Sequence, residues 1–330
     1  MMSRLRSFAP LVVLALGLAV RAEAAVPVAR VLETKGKVVL KDKSQNSREV
    51  GALDTVYLDE RIVLAAGSAI VLAFRDNGHL ERLSQPGEVT VRKDGCEPKT
   101  AVEILPAPER HKRLVSATVM SLHPKGTSGV SIARTASGDA PRIRLSPIPG
   151  STVLSVQPRL AWSAVPGARR YEVKIERDSQ TVWTATTSST SLNYPGKPPL
   201  KPGATYVWEV TATLADGSAG EASYGGAFTV ATEERAARAS ELRALAAGSD
   251  VPYLTLAAAW LEENNFVPEA VAAYERLVAL RPGTAPYYFA LTRLYQQADR
   301  QDEAQKAYAK GRQLQPLPLK PPRPEWPPKE

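Results

Sequence analysis

Three histidines, His79, His111 and His123, and one cysteine, Cys96, are the side chains of this 330-residue chain with the most distinctive reactivity. A transition-metal site needs such groups at ligand spacing, as in His-Glu-x-x-His or Cys-x-x-Cys. Here the histidines fall in turn-like and linker-like segments with no such spacing, and one cysteine makes no pair. A thiolate nucleophile needs a base beside it, which Lys93-Asp94-Gly95-Cys96-Glu97 does not supply locally. Cys96 cannot form a bridge within the chain. It reads as a small buried hydrophobe or a quiet turn residue, with pairing to a second chain as the alternative. Gly126-Thr127-Ser128-Gly129 comes nearest to a nucleophile elbow but lacks the second spacer residue and a strand–helix setting. No glycine-rich phosphate loop precedes a helix. Glu262-Glu263 lies on a helix surface, where solvated charge is the ordinary role. A catalytic site would have to be assembled across module interfaces. The expectation is a non-enzyme with no catalytic, cofactor or metal residues.

The elements that would carry any other function follow an N-terminal segment read as an export signal. Arg4 and Arg6 form a basic start, and Leu11 to Val20 is an apolar run. That run is too short to span a bilayer, which takes about 20 helical residues. Ala22-Glu23-Ala24 offers small residues at a cleavage site. Cleavage after Ala24 is expected, with no lipid-anchoring cysteine, no later transmembrane stretch and a periplasmic destination. Loss of Arg4, Arg6, Arg21 and Glu23 lowers the formal charge from +8 to +6. That excess is modest, and no aromatic–basic interleaving marks a nucleic-acid surface. Weak attraction to anionic envelope polymers is the most that it implies.

Residues 25–105 read as a small all-β domain. Arg30 to Leu40 gives two strands about Gly36, Arg61–Leu64 and Ala69–Phe74 are apolar strands, Asp76-Asn77-Gly78 is a tight turn, and Glu88–Arg92 alternates. The order Val31 to Gly36 and Val38, then Asp59-Glu60, then Phe74-Arg75-Asp76-Asn77-Gly78 resembles the FecR-type periplasmic domain. The namesake's cytoplasmic and membrane parts have no counterpart here. The resemblance therefore implies an envelope β-module rather than a regulator. Residues 106–141 are broken by Pro124, Gly126, Gly129, Ser137-Gly138 and Pro141 and read as linker. Val115 to Leu122 is a possible added strand, and Glu109 to Arg113 a solvated basic loop.

Residues 142–231 read as a second β-domain. Tyr171 to Ile175 and Thr181 to Thr187 alternate, and Leu200-Lys201-Pro202-Gly203-Ala204-Thr205-Tyr206 enters a third strand. This run resembles the tyrosine corner of a fibronectin type III sandwich. The resemblance implies seven strands, no cofactor and no chemistry, with Trp162, Tyr171 and Tyr206 in the core. Trp183, Tyr194 and Tyr224 are left as candidates for an exposed sugar platform.

From residue 233 the composition turns helical. Arg235 to Ala247 is one helix, stopped by Gly248. Units 251–284 and 285–318 then repeat at 34 residues: Ala258 recurs as Thr292, Ala270 as Ala304, Tyr274 as Tyr308 and Pro282 as Pro316. Residues 233–318 resemble a helix followed by two tetratricopeptide repeats. Gly311 and the non-glycine eighth positions depart from that pattern. The resemblance implies a concave partner-binding face made by Thr255, Ala259, Glu262 and Glu263 in the first unit and Phe289, Arg293, Gln296 and Gln297 in the second. Apolar surface around Leu291, Tyr295 and Leu314 is expected to lie open at the end of so short an array. Residues 319–330 form a proline-rich tail, extended or polyproline II, with Trp326 as a possible docking group.

The sequence thus describes a multidomain exported protein: signal peptide 1–24, β-domain 25–105, linker 106–141, sandwich 142–231, helices 233–318 and tail 319–330. The expected role is a periplasmic scaffold or adaptor that binds protein partners in the cell envelope. The alternatives are peptidoglycan or polysaccharide binding by the β-modules, or an accessory sensor for a membrane signalling protein.

Overall fold

The structure, a computed structural model, describes residues 26–122, 143–214, 219–247 and 250–315. The expected signal segment and its cleavage site lie outside these residues, as do His123, the Gly126–Gly129 run and Trp326. The layout is β-sheet first and mainly helix afterwards.

The first ten strands are β1 (Pro27–Lys35), β2 (Val38–Lys41), β3 (Ser47–Glu49), β4 (Thr55–Tyr57), β5 (Arg61–Leu64), β6 (Ala69–Phe74), β7 (Leu80–Leu83), β8 (Gly87–Arg92), β9 (Gly95–Glu97) and β10 (Val102–Leu105). They form two antiparallel sheets, ordered β10-β7-β6-β1-β4 and β3-β2-β5-β8-β9. Val31, Ile70, Leu72 and Phe74 of the first sheet share a core with Val38, Leu40, Ile62 and Val91 of the second. Strand β6 does not alternate; from Ile70 to Phe74 every residue is buried. A strand covered on both faces gives that pattern. Its second face, with Val71, Ala73 and Leu80 of β7, packs into a larger core built by helices.

Part of that cover is a helix where the sequence suggested linker and one strand. Helix α1 (Glu109–Ser121) buries Val115, Thr118 and Val119. With Leu122 these stand at helical spacing, and they seat α1 on β6 and on the later helices. The basic run Arg110 to Arg113 is therefore helical surface, and Lys112 pairs with Glu109 at 2.8 Å.

The second β-unit comprises β11 (Leu145–Ser146), β12 (Ser151–Val153), β13 (Arg159–Trp162), β14 (Ala168–Arg177), β15 (Gln180–Thr187), β16 (Ser191–Asn193), β17 (Thr205–Leu214) and β18 (Ala219–Val230). The sheets β11-β13-β16 and β12-β18-β17-β14-β15 enclose one core containing Leu160, Trp162, Val173, Trp208 and Phe228. Strand β12 runs parallel to β18; the other pairs are antiparallel. Trp162, Tyr171 and Tyr206 are all buried. The Tyr206 hydroxyl accepts from the Lys201 amide at 2.8 Å, tying the incoming turn to the strand. Tyr206→Phe should cost about 1 kcal/mol, the usual net worth of such a bond, read as a lower urea midpoint at unchanged slope.

Five more helices follow: α2 (Glu233–Leu245), α3 (Val251–Glu263), α4 (Val267–Leu280), α5 (Ala285–Gln297) and α6 (Gln301–Leu314). Thr232 caps α2 by accepting from the Arg235 amide, and Glu233 and Glu234 complement its dipole. The hairpins α3–α4 and α5–α6 repeat at the expected 34-residue offset, down to their turns. Asn265 and Asp299 both take positive φ, and the amides of Phe266 and Arg300 bond back to Leu261 and Tyr295. Pro252 and Pro286 start the first helix of each pair.

A helical face divided between this chain and solvent

Helix α3 is unusual for the first helix of a hairpin. Ten of its 13 residues are buried. One side meets α2 and α4, while α1 and β1 cover much of the remainder. The contact with β1 is polar as well as apolar. The Tyr287 hydroxyl donates to the Leu32 carbonyl (3.3 Å) and receives the Thr255 hydroxyl (2.8 Å). Burial pushes the Tyr287 phenol up to about 12, so it remains a donor at any physiological pH. Arg30, itself buried, lies 3.8 Å from the Glu263 carboxylate, and Arg281 donates to Glu33 at 2.7 Å.

This geometry corrects the expected docking face in the first unit. Thr255 and Ala259 are buried, and Glu263 pairs with Arg30. Of the residues expected to meet a partner, Glu263 meets this chain's own first strand and Thr255 meets Tyr287 of the second unit. Glu262 accepts from Tyr274 (2.8 Å) and from Arg293 Nε (3.0 Å), which joins the two hairpins. Burial, then the Glu262 carboxylate, hold Tyr274 protonated.

The second unit differs. Arg293 and Gln296 are exposed, and Phe289 and Gln297 are half-buried. Phe289 lies across α6 because residue 311 is glycine; a Cβ there would sit 2.7 Å from the Phe289 ring. That accounts for the departure from the repeat pattern at Gly311. Tyr308, 49% exposed, flanks the same ring at 6.3 Å between centroids. The apolar end expected around Leu291 and Tyr295 is closed. Both are buried, with Tyr295 donating to Glu275 (2.7 Å) beneath the Arg300 guanidinium. Leu314 is half-buried.

The far end of α3 is held by the sandwich. The Thr152 amide and hydroxyl donate to the Asn265 and Asn264 carbonyls (2.7 and 2.9 Å), and Arg235 donates to the Asn264 side chain. A cleft of about 210 Å³ beside this joint is lined by residues including Ser151, Leu154, Arg159 and Glu269. Its one arginine already donates to Ser191 at 3.0 Å. The sugar-platform candidates do not form a shared surface. Tyr194 is buried, with Trp183 edge-on to it at 5.4 Å, and Tyr224 is half-buried.

One buried polar cluster had no sequence signal beyond the same-face spacing of His79 and Glu81. Glu81 accepts from the Cys96 amide (2.8 Å) and from His79 Nε2 (2.9 Å), with Lys99 at 3.6 Å. His79 stacks on Phe74. Cys96 is buried, and burial raises its thiol well above its ordinary value, with Glu81 adding to the effect. Burial also raises Glu81, but its bonds from His79 and Cys96 outweigh this and leave it below the ordinary carboxylate value. A carboxylate lowered on folding stabilises above its unfolded pKa, about 4.3, and loses that contribution as pH falls through the folded value. Glu81→Gln should therefore cost about 1.5–3 kcal/mol at neutral pH, with the gap from wild type narrowing in acid. Urea midpoints at both pH values check it; a constant gap would contradict the assignment. Among the described residues no group of His, Cys, Asp and Glu is arranged to hold a metal ion.

No protein-family model and no curated protein matches this chain. Among solved structures it is similar to CopC from Methylosinus trichosporium OB3b, at 18% identity over 28% of this chain and 96% of that one, with a TM-score of 0.21. It is also similar to a beta-1,2-glucanase from Parabacteroides distasonis, at 12% identity over 88% of this chain and 49% of that one, with a TM-score of 0.22. The chain thus spans about half the length of the glucanase structure. At such scores neither likeness defines a family or an activity. Among the described residues no helix is long and apolar enough to cross a membrane.

Proposed function

We propose that this protein is an exported, non-enzymatic scaffold that binds a protein partner in the cell envelope through the second helical hairpin. The supporting observation is the division of the helical face. In its first half Thr255 and Ala259 are buried and Glu263 pairs with Arg30 of β1, whereas Phe289, Arg293, Gln296, Gln297 and Tyr308 stay at least partly accessible beside it. This surface has an aromatic pair, one cation and two amides. With Arg293 already engaged by Glu262, it suits an extended peptide segment carrying both an apolar and a polar side chain. The β-modules brace the helices from both ends, and in this reading they set the position of the face. FecR-like, fibronectin-like and tetratricopeptide-like identities for the three parts, and cleavage after Ala24, belong to the same proposal.

The test uses the full chain and a Gln296→Ala/Tyr308→Ala variant, both immobilised and exposed to envelope extract. Partners recovered by the wild type should be lost or strongly reduced with the variant, while circular dichroism stays the same. Equal recovery by both would reject the second-hairpin face.

A further inference from the structure

An exposed sheet edge carries unpaired N–H and C=O groups and templates further pairing, so proteins shorten, charge or cover their edges. Among the described residues, seven of the eight edges in the four sheets are short: β3, β4, β9, β12 and β16 have three residues each, β11 two and β10 four. Strand β3 adds Arg48 and Glu49, and β10 adds Glu103 paired with Arg82. Strand β15 is the exception. It is eight residues long, Gln-Thr-Val-Trp-Thr-Ala-Thr-Thr, and among the described residues it pairs only with β14. No charged residue occurs from Ser179 to Gly196, and β15 contains no proline or glycine. The one irregularity, a bulge at the hairpin end, leaves Trp183–Thr187 in unbroken register with Tyr171–Ile175.

From these observations we infer that β15 pairs antiparallel with β15 of a second copy of this chain, joining two five-stranded sheets across a two-fold axis at Ala185. The regular stretch is self-complementary about that residue. Thr184 of one copy meets Thr186 of the other on the exposed face, as a favourable threonine pair. Trp183 meets Thr187 on the half-buried face, and Ala185 meets itself. A charged edge would oppose its own copy by placing like charges across the axis; this edge has none. Isologous contacts of this kind close as dimers without open-ended growth.

The experiment measures the mass of the purified full chain by sedimentation equilibrium, alongside T184K/T186K and T184K/T186E. Positions 184 and 186 are exposed, so all three chains should fold alike by circular dichroism. Wild type should give the mass of two copies. T184K/T186K places lysines opposite lysines and should raise the dissociation constant roughly tenfold or more. T184K/T186E places each lysine opposite a glutamate and should restore dimerisation. The inference is overturned if wild type stays a single copy at every concentration, whether the edge is then bare or covered by another part of the chain or another protein. It is overturned equally if T184K/T186K dimerises like wild type, or if T184K/T186E is as weak as T184K/T186K, which would remove Ala185 from the axis. T184E/T186E, which places glutamates opposite glutamates, gives the same reading should the double-lysine variant fold poorly.

Discussion

Gly78→Ala should lower the stability of the chain by about 3 kcal/mol and should release α1 selectively. Two independent costs meet at this residue. Its φ is +66°, and a left-handed conformation costs an L-residue with a Cβ roughly 1–2 kcal/mol. The added Cβ would also lie 1.7 Å from the Lys112 carbonyl oxygen and 2.8 Å from the Ser116 amide. These are backbone atoms of α1, so no side chain can swing aside. The helix must move away from the β6–β7 turn, which breaks the Ser116 hydroxyl bond to the Arg75 carbonyl and unseats Val115 and Val119. Hydrogen exchange separates the two costs. Loss of amide protection across 112–122, with β1 and β6 still protected, is the expected pattern. A loss near 1 kcal/mol with α1 protection intact would mean that only the backbone conformation matters and that the helix is not held there.

The sequence carried the elements better than their joints. Ala69–Phe74 and Arg61–Leu64 were readable as strands to the residue, because apolar runs bounded by turn residues are local signals. The 34-residue spacing located both hairpins for the same reason. The joint between β1 and α3 involves residues more than 200 positions apart, such as Arg30 with Glu263, and no local pattern encodes such a pairing. A partial signal was nevertheless present. Ile70 to Phe74 lacks the alternation of a half-solvated strand, and Leu254 to Leu261 lacks a polar face. Both patterns announce an element covered on all sides without naming the cover. The helix at 109–121 was missed because breakers beyond Leu122 made the whole region look irregular, although Val115, Thr118, Val119 and Leu122 have helical spacing. In the candidate site, the repeat pattern pointed to Thr255, Ala259, Glu262 and Glu263 on α3 and to Phe289, Arg293, Gln296 and Gln297 on α5, but gave no sign of the packing that buries Thr255 and Ala259 or of the Arg30 that pairs with Glu263. Tyr308 recurs from the buried Tyr274, yet it is 49% exposed beside Phe289, a difference that the repeat spacing does not encode.

The division of the helical face leads to the largest effect expected for any truncation: residues 233–315 on their own should not hold a stable fold. In an autonomous array the first helix of each hairpin keeps a solvated side, whereas α3 buries residues on every side. Removing residues 26–122 takes Leu32, Val71, Ala73, Leu80, Val115 and Val119 out of the shared core. It also uncovers the part of α3 that β1 and α1 contact, and it removes the acceptor of the Tyr287 hydroxyl and the partners of Glu263 and Arg281. Full burial of a Leu, Val or Phe side chain contributes about 1.5–3 kcal/mol. Stripping even part of the cover from several such residues therefore approaches the whole stability of a domain, roughly 5–15 kcal/mol. The fragment should show little ordered helix by circular dichroism and bind a hydrophobic dye, whereas in the full chain α3 and β1 should lose amide protection together in one cooperative transition. A fragment that melts cooperatively near the temperature of the intact chain would show that β1 only rests on the array. In that case the first-unit residues Thr255, Ala259 and Glu263 would again be available to a partner.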